Sequence, residues 1–190
     1  MLESKDGGDS WIAHAPPPTL KGGYGMAVFF LFDPAKKIGD SNTWLFTAQE
    51  GGFFKTTDGG HSWSNVYKHS MTHGGNQLYR AKDGTLYSGG YQYPARSTDN
   101  GSSWEQITKG LVYSWYMGIC GDGENIYTAC SNKNEPFFVS AEGDGVTWKP
   151  LNEQKFSAVP FEMVLDPVNK ILYSASWEEG LLAIKLDSGK

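Results

Sequence analysis

Arginine is scarce in this 190-residue chain: of 16 basic residues, two are arginines, Arg80 and Arg96. That excludes a site that grips an anion with several guanidinium forks. An excess of positive charge is also missing. With 21 acidic residues the formal net charge is −5, which argues against a nucleic-acid groove, because such a groove replaces counterions with a basic stripe. No apolar run approaches the roughly 18 residues of a membrane-spanning helix; the longest, Met26 to Phe32, suits a buried strand. Sustained 3.6-residue periodicity is absent, so little helix is expected. The first residues show no basic, apolar, then small-residue leader. The two cysteines, Cys120 and Cys130, flank the turn-like "GDGEN". A symmetric hairpin there puts Cys120 opposite about Ile126 rather than Cys130, so both read as buried thiols, and two cysteines do not fix the redox compartment.

What the chain has in quantity is glycine (24 residues) and aromatic side chains (14%), the materials of turns and of a packed sheet core. It also has a repeat. "SKDGGDSW" (4–11), "TTDGGHSW" (56–63) and "STDNGSSW" (97–104) share one pattern, and "SAEGDGVTW" (140–148) is a looser copy. The closing tryptophans Trp11, Trp63, Trp104 and Trp148 are 52, 41 and 44 residues apart. A second mark keeps step at another phase: Asp33-Pro34, Asp83-Gly84, Asp122-Gly123 and Asp166-Pro167, 50, 39 and 44 apart. Four short runs rich in tyrosine, threonine and tryptophan fit between successive marks. Four strands in about 40 to 45 residues is a propeller blade. The expected fold is therefore all-β, a β-propeller of four-stranded antiparallel blades, about four in this chain. The units fall near 16–68, 69–109, 110–153 and 154–190. The last has three strand-like runs before Asp187 and Gly189 restart the pattern, so residues 1–15 are expected to complete it. Three arrangements satisfy this phase: a small closed ring, half of a ring completed by a second chain (a self-association), or part of a longer array.

The repeated stretch resembles the Asp-box, or BNR repeat, Ser/Thr-x-Asp-x-Gly-x-x-Trp. Three copies match in full: Ser4, Asp6, Gly8, Trp11; Thr56, Asp58, Gly60, Trp63; and Ser97, Asp99, Gly101, Trp104. The fourth keeps Ser140 and Trp148 but has Glu142 near the aspartate position and one inserted residue; the fifth has Lys185 at the Ser/Thr position. The resemblance implies a propeller of the sialidase-like, photosystem II assembly factor-like or sortilin-like kind, with the boxes as structural turns at the periphery. The residue chemistry agrees. A carboxylate can collect turn N–H groups, glycine supplies a positive φ, and tryptophan buries a large ring against the sheet. The box then joins the third and fourth strands of a blade, and His61 is a variable turn residue.

Function is then expected on the opposite face, in the loops between second and third strands and between blades. Those loops carry Glu50, Tyr91, Tyr93, Tyr113, Trp115, Asn134, Glu135, Trp177 and Glu178. Aromatic planes beside carboxylates and amides suit a sugar ring or a peptide. About half of these aromatics are expected to pack between blades instead. His69 and His73 stand four apart, but without a helix to align them they read as solvated loop rather than metal ligands. Pro16 to Pro18 read as a stiff connector. No metal or other cofactor is expected. Sialidase chemistry, which the resemblance links to three arginines on a carboxylate, is excluded by count. Other glycosidases need two carboxylates roughly 5 to 10 Å apart, and no two of Glu50, Glu135, Glu162, Glu178 and Glu179 are singled out. The reading is a non-catalytic, exported module that binds a protein or glycan, with no nucleic acid and no membrane insertion. The alternative is a xyloglucanase-like glycoside hydrolase or a fragment of one.

Overall fold

The computed structural model describes residues 2–15, 17, 27–33, 42–48, 51–68, 76–132, 134–156, 160–177 and 179–186. The described residues hold 17 strands and no helix, in five antiparallel sheets. Leu2–Glu3 (β1) and Ile12–Ala13 (β2) form a hairpin. Ala27–Phe32 (β3), Trp44–Ala48 (β4), Gly52–Thr56 (β5) and Ser64–Tyr67 (β6) form blade 1. Leu78–Arg80 (β7), Leu86–Ser88 (β8), Ala95–Ser97 (β9) and Glu105–Gln106 (β10) form blade 2. Tyr116–Gly121 (β11), Asn125–Cys130 (β12), Glu135–Ala141 (β13) and Lys149–Phe156 (β14) form blade 3. Pro160–Asp166 (β15), Ile171–Ser176 (β16) and Gly180–Lys185 (β17) form blade 4, with three strands. The architecture is that of β-propeller blades set side by side.

Because strand side chains alternate between faces, blades 2 and 3 each have one apolar row toward the blade before and another toward the blade after. In blade 3 the row Ile119–Thr128–Phe138 faces blade 2, and the next row, Cys120–Tyr127–Val139, faces blade 4. The core is the stack of joints so made. Leu31, Leu45 and Phe53 of blade 1 meet Leu78, Leu86 and Ala95 of blade 2. Tyr79 and Tyr87 meet Ile119 and Phe138 at the next joint. Cys120, Tyr127 and Val139 meet Met163, Leu172 and Ile184 at the third. Gln77 ties inner strands together: its side-chain carbonyl accepts from Ile119 N (3.1 Å) and Met163 N (3.0 Å), and its amide donates to Met163 O (2.8 Å).

Two expectations need correction here. The chain's first segment does not complete blade 4: Ile12–Ala13 pairs with Leu2–Glu3, and His14 stacks edge-on against Trp44 of blade 1 at 5.4 Å. A short local hairpin closes with less entropy loss than a pairing across the whole chain. The cysteines are buried free thiols, but Cys120 pairs with Tyr127 and Cys130 with Tyr116, one step from the symmetric estimate. Burial pushes the Cys120 thiol up to about 12.

Candidate functional site

Antiparallel strand order divides each blade's loops between two ends. At one end lie the turns from first to second strand and from third to fourth. The first kind centres on an aspartate: Asp83 Oδ1 accepts from Thr85 N (2.8 Å), Asp122 Oδ1 from Asn125 N (2.7 Å) and Asp166 Oδ1 from Asn169 N (2.9 Å). The second kind is the repeated box. In blade 1, Thr56 Oγ1 donates to Asp58 Oδ1 (2.7 Å) and accepts from Gly60 N (2.9 Å). Asp58 accepts from Ser62 N (2.9 Å) and Ser62 Oγ (2.6 Å). Ser97, Asp99, Gly101 and Ser103 repeat these bonds in blade 2, and Ser4, Asp6, Gly8 and Ser10 repeat them in the hairpin. Gly60 and Gly101 sit at φ of +86° and +79°, where a Cβ would be strained.

These carboxylates are locked as anions. The Ser62 hydroxyl, then the Ser62 N–H and the Thr56 hydroxyl, hold Asp58 well below the usual carboxylate range. The Ser10 hydroxyl leads the same effect at Asp6, and the Ser103 hydroxyl leads it at Asp99, which falls to about 2. The serine before each tryptophan is a residue that the eight-residue pattern leaves unspecified. The sequence carries its signal all the same, since Ser10, Ser62 and Ser103 precede Trp in all three full copies.

The fourth copy works differently. Glu142 does not cap its own turn; it is buried and accepts from Lys82 N and from the Tyr79 hydroxyl (2.8 Å) of blade 2. Asp144 accepts from Thr147 N instead (3.0 Å). Ser140 is buried and donates weakly to Ala141 O (3.4 Å).

The tryptophans also differ from the expectation of uniform burial. Two of them, Trp104 and Trp148, pack toward the preceding blade. Trp104 stands edge-on to Phe53 of blade 1 (4.5 Å), and Trp148 is buried with Tyr87 of blade 2. Trp63 packs on Phe46 (4.9 Å), on the face of blade 1 turned from blade 2. Trp11 is exposed. His61 lies in its turn, with Nδ1 2.6 Å from Asp58 O, and also lines a cavity of about 510 Å³ with Glu3, His14 and Trp44. His14 Nε2 is 2.8 Å from Glu3 Oε2 there.

The opposite end carries the remaining loops. Gly90 and Tyr116 exchange backbone bonds (2.7 and 2.8 Å), and Ser114 N donates to Gln92 O (3.1 Å). This ladder fastens the second-to-third-strand loop of blade 2 to the connection entering blade 3. It brings Tyr91 and Trp115 into a stack (5.5 Å, 30°) and Tyr93 and Tyr113 into an edge contact (5.8 Å). Ser114 Oγ donates to Asn132 Oδ1 (2.9 Å), extending the fastening to the next loop. Asn134 follows, exposed at φ +65°, and Glu135 is half-buried at the start of β13. Trp177 is exposed, with its ring 5.9 Å from Phe161. Tyr91, Tyr113, Trp115 and Trp177 are all exposed, so fewer aromatics pack between blades than expected. Glu50, Glu178, His69, His73, Pro16 and Pro18 lie outside the described residues. Ser114 and Asn132, which hold the aromatic loops in place, give no signal in the sequence beyond their loop position.

Neither arginine belongs to this end. Arg96 pairs with Glu105 (2.6 Å) and Arg80 donates to Asn100 Oδ1 (3.0 Å), both beside the blade 2 box. No group of three or more His, Cys, Asp or Glu suited to a metal ion occurs among the described residues, and no described helix is long and apolar enough to cross a membrane.

No protein-family model matches the chain, and no curated protein does. Solved structures do. YCF48 bound to D1 peptide aligns with TM-score 0.64 and 16% identity, covering 100% of this chain and 59% of that one. The GH74 xyloglucanase of Xanthomonas campestris gives 0.63 and 17%, covering 86% and 30%. The GH74 enzyme of Niastella koreensis gives 0.61 and 17%, covering 86% and 29%. The chain thus spans between about a third and three fifths of their lengths. At these identities the likeness is one of fold, that of β-propellers.

Proposed function

We propose that this chain is an Asp-box β-propeller module, exported and non-catalytic, that binds a protein or glycan through the loops opposite its boxes, and that a peptide segment is the better-suited ligand. The observation that carries the reading is the Tyr91–Trp115 stack with the adjoining Tyr93–Tyr113 pair: large rings, three exposed and Tyr93 half-buried, held in place by a hydrogen-bonded loop pair. Rigid Tyr and Trp surfaces bind at low entropic cost. The likeness to YCF48, solved with a peptide, lends support across the full chain. Glu135 and Trp177, on loops at the same end, extend the site.

The alternative, part of a xyloglucanase-like hydrolase, draws on the GH74 likeness. It requires two carboxylates flanking a cleft at the loop end, whereas the carboxylates held low by turn donors, Asp6, Asp58, Asp99 and Asp166, belong to turns at the other end.

The test is selection of binders from a random peptide library and a glycan array on the immobilised chain, repeated with Tyr91→Ala/Trp115→Ala and with His61→Ala. Peptide capture by the wild type and by His61→Ala, lost in the double variant at unchanged circular dichroism, is expected. Loss with His61→Ala alone would place recognition on the box end. Reducing ends released from xyloglucan would establish the hydrolase.

A further inference from the structure

The loop between β12 and β13 is tied to the aromatic connection at two points. Ser131 N donates to Trp115 O (2.8 Å), and Ser114 Oγ, between Tyr113 and Trp115, donates to Asn132 Oδ1 (2.9 Å). Cys130, which ends β12, pairs with Tyr116, the residue after Trp115. Asn134 turns the chain at φ +65°, and Glu135 opens β13. Glu135 is thereby delivered to the end of the molecule that carries the Tyr91–Trp115 and Tyr93–Tyr113 pairs. Its charge is felt there. Burial is the chief cause that pushes the Tyr116 phenol and the Cys130 thiol up, and Glu135 adds to both; Tyr93 adds at Tyr116 as well. Glu135 and Tyr93 thus share the surroundings of one buried phenol, whose hydroxyl donates to Val112 O (2.8 Å).

Glu135 is half-buried, yet among the described residues its carboxylate accepts no hydrogen bond and joins no ion pair. A carboxylate drawn partly out of water is costly unless an opposite charge is supplied. Neither arginine supplies it: Arg96 pairs with Glu105 and Arg80 donates to Asn100, both beside the blade 2 box. The rings at this end are open, Tyr113 at 63% exposure and Tyr91 at 40%. Open aromatic faces and an unpaired carboxylate attract the same kind of group, an organic cation, because the face of a ring is negative too. We propose that the peptide segment bound by these loops presents an arginine, its guanidinium lying on the exposed Tyr113 ring and turned to the Glu135 carboxylate. A planar guanidinium stacks on a ring and meets a carboxylate as a fork, whereas an ammonium is more strongly hydrated and acts as a point charge. The net charge of −5 draws a positive segment toward the chain and holds an acidic one off. This inference rests on the reading of the loop end as a peptide site and adds the charge of its ligand.

The experiment selects peptides from a random library on the immobilised 190-residue chain and repeats the selection on Glu135→Gln. Arginine is expected to be enriched over its frequency in the unselected library on the wild type, and not on Glu135→Gln. The selected peptides are then remade with citrulline, the uncharged counterpart, in place of arginine. Citrulline is expected to weaken binding to the wild type about ten-fold and to make no difference on Glu135→Gln. Glu135→Asp, which keeps the charge, is expected to keep a preference for arginine, and the wild-type preference to shrink as salt is raised. Capture without arginine enrichment, enrichment of lysine in its place, or an arginine preference that survives Glu135→Gln would overturn this inference. The peptide site itself would still stand in those cases if capture is lost in Tyr91→Ala/Trp115→Ala. No capture at all, or capture indifferent to Tyr91 and Trp115, would overturn the underlying reading as well.

Discussion

Replacing Thr56 by valine removes one hydroxyl and keeps the shape. Thr56 is 1% exposed, and its Oγ1 is the acceptor for the buried N–H of Gly60 at 2.9 Å and the donor to Asp58 at 2.7 Å. Leaving a buried N–H without its acceptor costs about 1 to 3 kcal/mol. Ser97→Ala strands the buried Gly101 N–H in the same way, at 2.8 Å, and carries a similar cost. Ser4→Ala breaks the equivalent bond in the hairpin, but there every group is exposed, water replaces the lost partner, and the change stays within about 0.5 kcal/mol. The three chemically parallel substitutions should therefore separate by burial. For a chain of this size each kcal/mol moves the melting temperature by about 2 to 4 °C, so Thr56→Val and Ser97→Ala fall clearly below the wild type in calorimetry and urea titration. Thr56→Ser, which keeps the hydroxyl, should recover most of the loss. A Thr56→Val protein that melts like the wild type would refute the reasoning, as would a Ser4→Ala protein that loses as much.

Acid titration tests the locked carboxylates. The pKa of Asp99 in the folded chain, about 2, lies below its unfolded value of about 3.9, so its contribution is complete above pH 4 and disappears as pH falls toward 2. Melting temperature should drop over that window, and less steeply in Asp99→Asn. Cys120, with its thiol pushed up to about 12, should resist aromatic disulfide reagents at pH 8 until the chain unfolds; rapid labelling of the native protein would contradict its burial. Gly145→Ala places a Cβ against the Tyr87 hydroxyl at φ +63° and should cost roughly 1 to 3 kcal/mol, part of it regained in the Tyr87→Phe double variant.

Much of the fold is legible because two turn marks recur in step. Asp83-Gly84 and the box at 97–104 bracket the strands of blade 2, and β7 to β10 fall inside the runs that the sequence suggests. Spacing gives the phase of a strand, however, and not its neighbour. The segment around Ile12 has the phase of a fourth strand, and it pairs with β1 across its own box turn rather than with β17. The tryptophans show the same limit. A large ring predicts burial, yet Trp63 finds it against Phe46 of its own blade while Trp11, on the two-stranded hairpin, is exposed. Glu142 matches its box by position alone: the inserted residue hands the turn to Asp144 and frees the carboxylate to bond Lys82 and Tyr79. At the candidate site the residue types were readable, whereas the stack of Tyr91 on Trp115 depends on the Gly90–Tyr116 backbone pairing, which no side-chain pattern encodes.

Backbone hydrogen exchange, with and without a peptide selected from a random library on the immobilised chain, bears most directly on where this molecule works. Peptide binding to the aromatic loops predicts slowed exchange at Gly90, Ser114 and Ser131, with the box amides Gly60 and Gly101 unchanged. Protection confined to Gly60, Gly101 and their neighbours would contradict it and move the binding surface to the boxes.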